Sequence, residues 1–144
     1  MRIYNEVIKF KKKYKGTLAF RLKEHCEIIE KHLNPGEKVL YVFAGQKNNR
    51  AIAIPNTFVI TLTDKRLLFG RKRLLFGYFF YAVTPDMFND LKVNSGIIWG
   101  KIIIDTVKEL AVISNISKDA LNEIETRITQ YMMEEKKKYA IKKD

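Results

Sequence analysis

The chain has 144 residues, 47% of them hydrophobic and 30% charged, with 27 basic against 16 acidic side chains and a formal net charge of +11. That length suits one domain with a real core, and the composition excludes a disordered chain. With Cys26 as the only cysteine, an internal disulfide and a multi-thiolate zinc site are both excluded.

Apolar runs such as Ile102 to Ile104, bounded by Lys101 and Asp105, and the six-residue Val39 to Ala44 and Tyr78 to Val83 are far short of the roughly 20 residues of a membrane-spanning helix. The N-terminal segment places its lysines after its apolar residues and has no cleavage-site pattern, so it does not read as a signal peptide. A cytoplasmic location is expected, with peripheral membrane attachment as the other option. The basic excess lies in the front and middle of the chain. It speeds encounter with phosphates, anionic lipids and acidic proteins without choosing among them.

Ile3, Val7, Phe10 and Tyr14 recur at helical spacing, with Lys9, Lys11, Lys12 and Lys13 between them, and predict a first helix. Gly16 interrupts it. Thr17 is a suitable N-cap for a second helix whose stripe is Leu18, Leu22, Cys26, Ile29 and Leu33, ended by Asn34-Pro35-Gly36. His25 lies next to Cys26 and so points about 100° away from it on a helix. His25 and His32 miss the i, i+4 spacing of a helical metal pair, and all three residues read as structural.

Beyond Gly36 the period changes from helix to strand. Lys38 to Ala44, Phe58 to Thr63, Arg66 to Gly70 and Leu74 to Val83 carry β-branched and aromatic residues over strand lengths. The hexapeptide KRLLFG occurs twice within them, at Lys65 to Gly70 and Lys72 to Gly77. The glycines and the strand-like flanks favour strand over heptad helix for both copies. After Thr84-Pro85-Asp86, three more short strands are expected at Leu91 to Val93, Gly100 to Asp105 and Leu110 to Ser114. Ser117 is then a suitable N-cap for a closing helix with Leu121, Ile124, Ile128 and Tyr131 on its apolar face and Met132 beside it. The predicted organisation is a helical extension over 1–34, a strand-rich domain with its closing helix over 35–135, and a basic, fraying tail over 136–144.

Seven strands followed by one amphipathic helix, together with Leu33-Asn34-Pro35-Gly36-Glu37-Lys38-Val39-Leu40, Thr61-Leu62-Thr63-Asp64-Lys65-Arg66-Leu67-Leu68 and Gly96-Ile97-Ile98-Trp99-Gly100-Lys101-Ile102, resemble a known family. It is the bacterial pleckstrin-homology-like (PH-like) domains of the YokE-like type, over about residues 33–133. The resemblance implies an α+β fold, a PH-like seven-stranded antiparallel barrel capped by a C-terminal helix, here with an N-terminal helical extension. It also implies a non-catalytic adaptor-like module without a cofactor. The inositol-phosphate pattern of lipid-binding PH domains is matched only by Lys47 and Arg50, since the second strand, FVITLT, holds no basic residue.

In such a barrel the loops after strands one, three and six open on one end. Lys47, Arg50, Arg71, Lys72, Arg73 and Lys108 are then candidates for an anion-binding cluster, because guanidinium pairs bidentately with phosphate or carboxylate. Lys65 and Arg66 turn to the other end. Several strands are apolar on both faces, so the outer face needs a cover, either the first helix or another molecule. The first helix would otherwise suit an anionic bilayer. The expected partner is a protein or a second copy of the chain, with anionic lipid as the alternative. Nucleic acid is disfavoured, because consecutive strand residues alternate faces and no more than two of Tyr78, Phe79, Phe80 and Tyr81 can share a side. Gly96 to Ile102 falls short of a P-loop, Asp86 and Asp90 lack a basic companion, and neither catalysis nor metal binding is expected.

Overall fold

The computed structural model describes the backbone of residues 2–47 and 56–143 and the side chains through residue 138. Helices α1 (Arg2–Lys13) and α2 (Leu22–Glu30) precede seven strands: β1 (Val39–Lys47), β2 (Thr57–Thr63), β3 (Leu67–Lys72), β4 (Tyr78–Val83), β5 (Phe88–Ser95), β6 (Trp99–Thr106) and β7 (Leu110–Ser117). Helix α3 (Leu121–Lys143) follows. The strands form one antiparallel sheet in the order β4-β3-β2-β1-β7-β6-β5, curled into a half-barrel.

Side-chain alternation sorts the sheet into two cores. Phe43, Phe58, Ile60, Leu62, Leu67 and Phe69 face the concave side with Ile102, Ile104 and Ile113, and Leu121, Ile124, Ile128 and Met132 of α3 close over them. Val39, Val42, Ala44, Val59 and Leu68 face the convex side. There Ile3 and Val7 of α1 and Cys26 and Ile29 of α2 cover them. Of the helical stripes read from the sequence, Ile3, Val7, Phe10, Cys26, Ile29, Leu121, Ile124 and Ile128 are buried and Tyr14, Leu18, Leu22 and Leu33 half-buried, and Met132, not Tyr131, makes the last deep contact of α3.

The curl depends on one close approach. At Gly45 a Cβ would lie 2.7 Å from Ile113 Cγ2 and 3.0 Å from Ser114 O, so only glycine lets β7 cross β1 at this corner. Their pairing there is confined to Gln46 with Ser114 and Lys47 with Ile113.

Several boundaries differ from expectation, each for a local reason. Helix α2 begins at Leu22, after Arg21 in the left-handed region at φ 53°, and not at Thr17. Residues 17–21 run as an irregular strap whose donors are used elsewhere: Leu18 N–H bonds Asn115 O at 2.9 Å and Phe20 N–H bonds Thr57 Oγ1 at 3.1 Å. The Thr17 hydroxyl accepts from Ser117 N–H instead of capping. Ser117 in turn makes no side-chain cap; a short 3₁₀ turn, Lys118–Ala120, leads into α3. That helix continues to Lys143, past the Lys136 at which the sequence reading lets it fray. Strand β5 is longer than Leu91 to Val93, and Trp99 opens β6, its indole N–H donating to Gly16 O at 2.8 Å.

The largest difference concerns the repeated hexapeptide. Its first copy runs into β3, with Leu67, Leu68 and Phe69 fully buried. Because β3 extends to Lys72 and pairs it with Tyr78, the second copy becomes the β3–β4 hairpin loop. Arg73 N–H bonds Gly77 O at 3.0 Å, and Gly77 takes the φ of 74° that closes it.

One ion pair joins the segment after α2 to the sheet. Arg66, in the β2–β3 turn, holds Glu37 bidentately, Nε to Oε2 and Nη2 to Oε1, both at 3.0 Å. Asn34 N–H and the Thr63 hydroxyl also donate to that carboxylate, and Arg66 Nη2 reaches His32 O at 2.8 Å. The Glu37 side chain is fully buried. Burial would push its pKa up, but the Arg66, Asn34 and Thr63 donors outweigh that and hold it below the ordinary carboxylate value.

Glu37→Gln should leave the Arg66 guanidinium without its charge partner and cost about 3 kcal/mol of stability in urea unfolding. Gly45→Ala should cost about 1–3 kcal/mol by overpacking the β1–β7 corner, read in the same titration.

Candidate binding surface at the open end of the half-barrel

Lys47 at the end of β1, Phe79 to Tyr81 of β4 and the β6–β7 turn border one cleft. The β6–β7 turn is shaped by Thr106, whose hydroxyl accepts from the N–H groups of Lys108 (3.2 Å) and Glu109 (3.1 Å) and donates to Glu109 O at 2.8 Å. This turn presents Lys108 and Glu109 to a cleft of about 290 Å³ whose other walls are Lys47, Phe58, Phe79, Phe80 and Tyr81.

Within the cleft Lys47 is already partnered, while Lys108 stands exposed at its edge. Lys47 Nζ lies 3.2 Å from Glu109 Oε1, 4.7 Å from the centre of the Tyr81 ring and 5.2 Å from that of Phe58. Burial acts to raise the Glu109 pKa, yet the neighbouring Tyr81 hydroxyl and Lys47 ammonium bring it below the usual range. Burial first, and Glu109 second, push the Tyr81 phenol far up, so it stays neutral.

The remaining candidates divide. The Arg73 guanidinium lies 5.4 Å from the centre of the Phe79 ring, itself a wall of the cleft. Arg71 Nη1 donates to Thr57 O at 3.2 Å, so it braces β3 against the start of β2. Lys72 lies on the convex side, its N–H donating to His25 Nδ1 at 2.9 Å and its carbonyl accepting from Arg21 Nη1 at 3.3 Å. Arg50 lies outside the described residues. Arg66 is on the opposite end, committed to Glu37.

What the sequence reading missed is the hairpin tip. Leu74, Leu75 and Phe76 are 74%, 81% and 83% exposed, and Tyr78 and Phe79 behind them are about half exposed. The assignment of Leu74 to Val83 to one strand concealed this. The available signal was Gly77, a turn residue five positions after Lys72. Phe80 and Tyr81, by contrast, are used inside the molecule: Phe80 stacks on His32 at 4.0 Å and Tyr81 on Phe69 at 4.4 Å.

A family model described as bacterial PH domain matches residues 33–130. The chain belongs to the bacterial PH domain family. No curated protein matches it. In this bacterial PH domain the matched range starts at Leu33, so α1 and α2 lie ahead of it while covering its convex face. The Asn34 to Lys38 and Thr63 to Arg66 pieces that carry the resemblance are the two halves of the Glu37–Arg66 clamp, a structural role. Among the described residues, no group of three His, Cys, Asp or Glu could hold a metal ion, and no helix is long and apolar enough to cross a membrane.

His25 and Cys26 are both buried under the convex-face helices. Burial pushes the Cys26 thiol up to about 12, with Glu30 and Glu27 adding to it, which makes it a poor nucleophile. The His25 imidazole is pushed down to about 3 by burial and then by Arg71 and Arg21. Its Nδ1 accepts from Lys72 N–H, a bond only the neutral ring can make. Below the unfolded value near 6.5 the unfolded chain takes up a proton that the native state refuses until about 3. Stability is therefore complete above that upper value and declines by up to about 1.4 kcal/mol per pH unit on the way down. Urea midpoints measured from about pH 7 to pH 5 should fall in the wild type and stay flatter in His25→Asn, whose amide oxygen can still accept from Lys72.

Proposed function

We propose that this bacterial PH domain, of the YokE-like type, is a non-catalytic binding module that grips a negatively charged partner with the open end of its half-barrel. The observation that carries this reading is the distribution of apolar surface. The convex face, which the sequence offered as a protein contact, is occupied by α1 and α2. The apolar stripe of α1 is spent inside the molecule, Ile3 and Val7 against the convex face and Phe10 against Tyr41 and Phe43, which leaves that helix only the half-buried Tyr4 and Ile8 toward a bilayer. The run Leu74 to Phe76 is exposed instead, directly after Arg71, Lys72 and Arg73.

Charge at this end supports an acidic partner. From Leu67 to Pro85 the chain carries three basic side chains, Arg71, Lys72 and Arg73, and no acidic one. Lys47 contributes less than the sequence suggested, because Glu109 neutralises it. Lys72 and Arg73, both exposed, are the cations best placed to act outward. The internal stacking of Phe80 and Tyr81 leaves little aromatic surface for nucleobases, which weighs against nucleic acid. A protein face or a second copy remains a reading of the same exposed tip.

Elution from an immobilised polyanion, heparin, locates the gripping charge. Lys72→Glu/Arg73→Glu should elute at clearly lower salt than Lys9→Glu/Lys12→Glu, which places the same charge change on α1. Equal drops for the two pairs would mean that the attraction is spread over the whole surface.

A further inference from the structure

We propose that the β3–β4 hairpin is a wedge that enters an anionic bilayer, with Leu74, Leu75 and Phe76 below the headgroups and Lys72, Arg73 and Lys31 against the lipid phosphates. This rests on the reading of the open end as the contact surface and names what it contacts.

Shape is the first argument. The three apolar residues sit in succession in a loop closed by the Arg73 to Gly77 hydrogen bond, beyond the last strand pair, Lys72 with Tyr78. Successive side chains there cannot share one face, so they fan outward from a convex point. A fluid acyl layer accepts such a fan from every side. The loop reaches about 7 Å past that last pair if two residues of strand rise are allowed, which matches the roughly 5–10 Å to which interfacial segments sink.

The chemistry behind the tip follows the layering of a bilayer surface. Tyr78 and Phe79, half exposed, stand one step back, at the level where aromatic rings collect at membrane interfaces. Lys31 Nζ lies 4.6 Å above the Tyr78 ring and the Arg73 guanidinium 5.4 Å above that of Phe79, so a cation flanks each ring. Lys72 is exposed beside them. Each basic group near an anionic leaflet adds to the attraction, and an apolar insertion plus a basic cluster supplies the two signals that stable attachment needs.

The same collar disfavours a second copy of the chain as occupant. Two hairpins meeting tip to tip would bring their arginines and lysines together, and like charges across an interface oppose association.

The test uses vesicles of phosphatidylcholine and phosphatidylglycerol in equal amounts, with the full chain as wild type and as Leu74→Ser/Leu75→Ser/Phe76→Ser. The wild type should co-sediment, and the triple variant should partition at least about tenfold more weakly, with an unchanged urea midpoint and an unchanged heparin elution position. Lys72→Glu/Arg73→Glu should pellet much less with these vesicles and elute from heparin at lower salt than the wild type. Vesicles of phosphatidylcholine alone should retain much less wild-type protein. Equal partitioning of wild type and triple variant would overturn the wedge while leaving the open-end reading intact. Absence of wild-type pelleting would overturn it too, as would light scattering in which the triple substitution turns a lipid-free oligomer into a monomer. Loss of the heparin difference, with wedge-dependent pelleting retained, would count against the charge reading alone.

Discussion

A curled sheet with apolar side chains on both faces must be covered twice, and most of what this protein can do follows from how the two covers are placed. Helix α3 closes the concave side through Leu121, Ile124, Ile128 and Met132. The chain ahead of the family's matched range closes the convex side through Ile3, Val7, Cys26 and Ile29. With both faces used, the sheet itself offers a partner only its edges and loops. The loops at the open end carry the apolar tip, the cleft and the exposed Lys72 and Arg73.

The clamp between Glu37 and Arg66 keeps the outer cover in register. It lies where the chain leaves α2 and enters β1, and it ties that point to the β2–β3 turn, with His32 O as a further acceptor. A buried carboxylate is tolerated there because four donor groups converge on it: two from Arg66, one from Asn34 and one from Thr63. Glu123 plays a lesser part at the other seam, accepting from the Tyr41 hydroxyl on β1 and from Lys13 at the end of α1, both at 2.7 Å. The three helices are thereby connected through the sheet by polar contacts as well as by packing.

The cleft and the hairpin tip differ in what they can still bind. In the cleft, Lys47 and Glu109 neutralise each other against the Tyr81 and Phe58 rings, so Lys47 is engaged within the fold. At the tip, the apolar side chains have nothing of their own chain over them. Exposed apolar groups beside cations mark a contact surface more strongly than cations alone, since single surface charges are common and weakly acting.

Local pattern alone was enough to place the three helical stripes, the change to strand period after Gly36 and the order of seven strands before a helix, because those signals depend only on residues a few positions apart. The same reasoning placed Lys47 and Lys108 at one end once the strand order was assumed, and both border the cleft. It could not separate the two KRLLFG copies, whose residues are identical. Strand pairing decided that: β3 needed Lys72 as its last partner for Tyr78, and the second copy was left over to make the turn. Nor could it decide whether Thr17 caps a helix or receives Ser117 N–H, since that choice depends on a neighbour 100 residues away. Local spacing is written in the chain, whereas which donors, charges and apolar groups remain unclaimed is settled only when distant segments have taken their share.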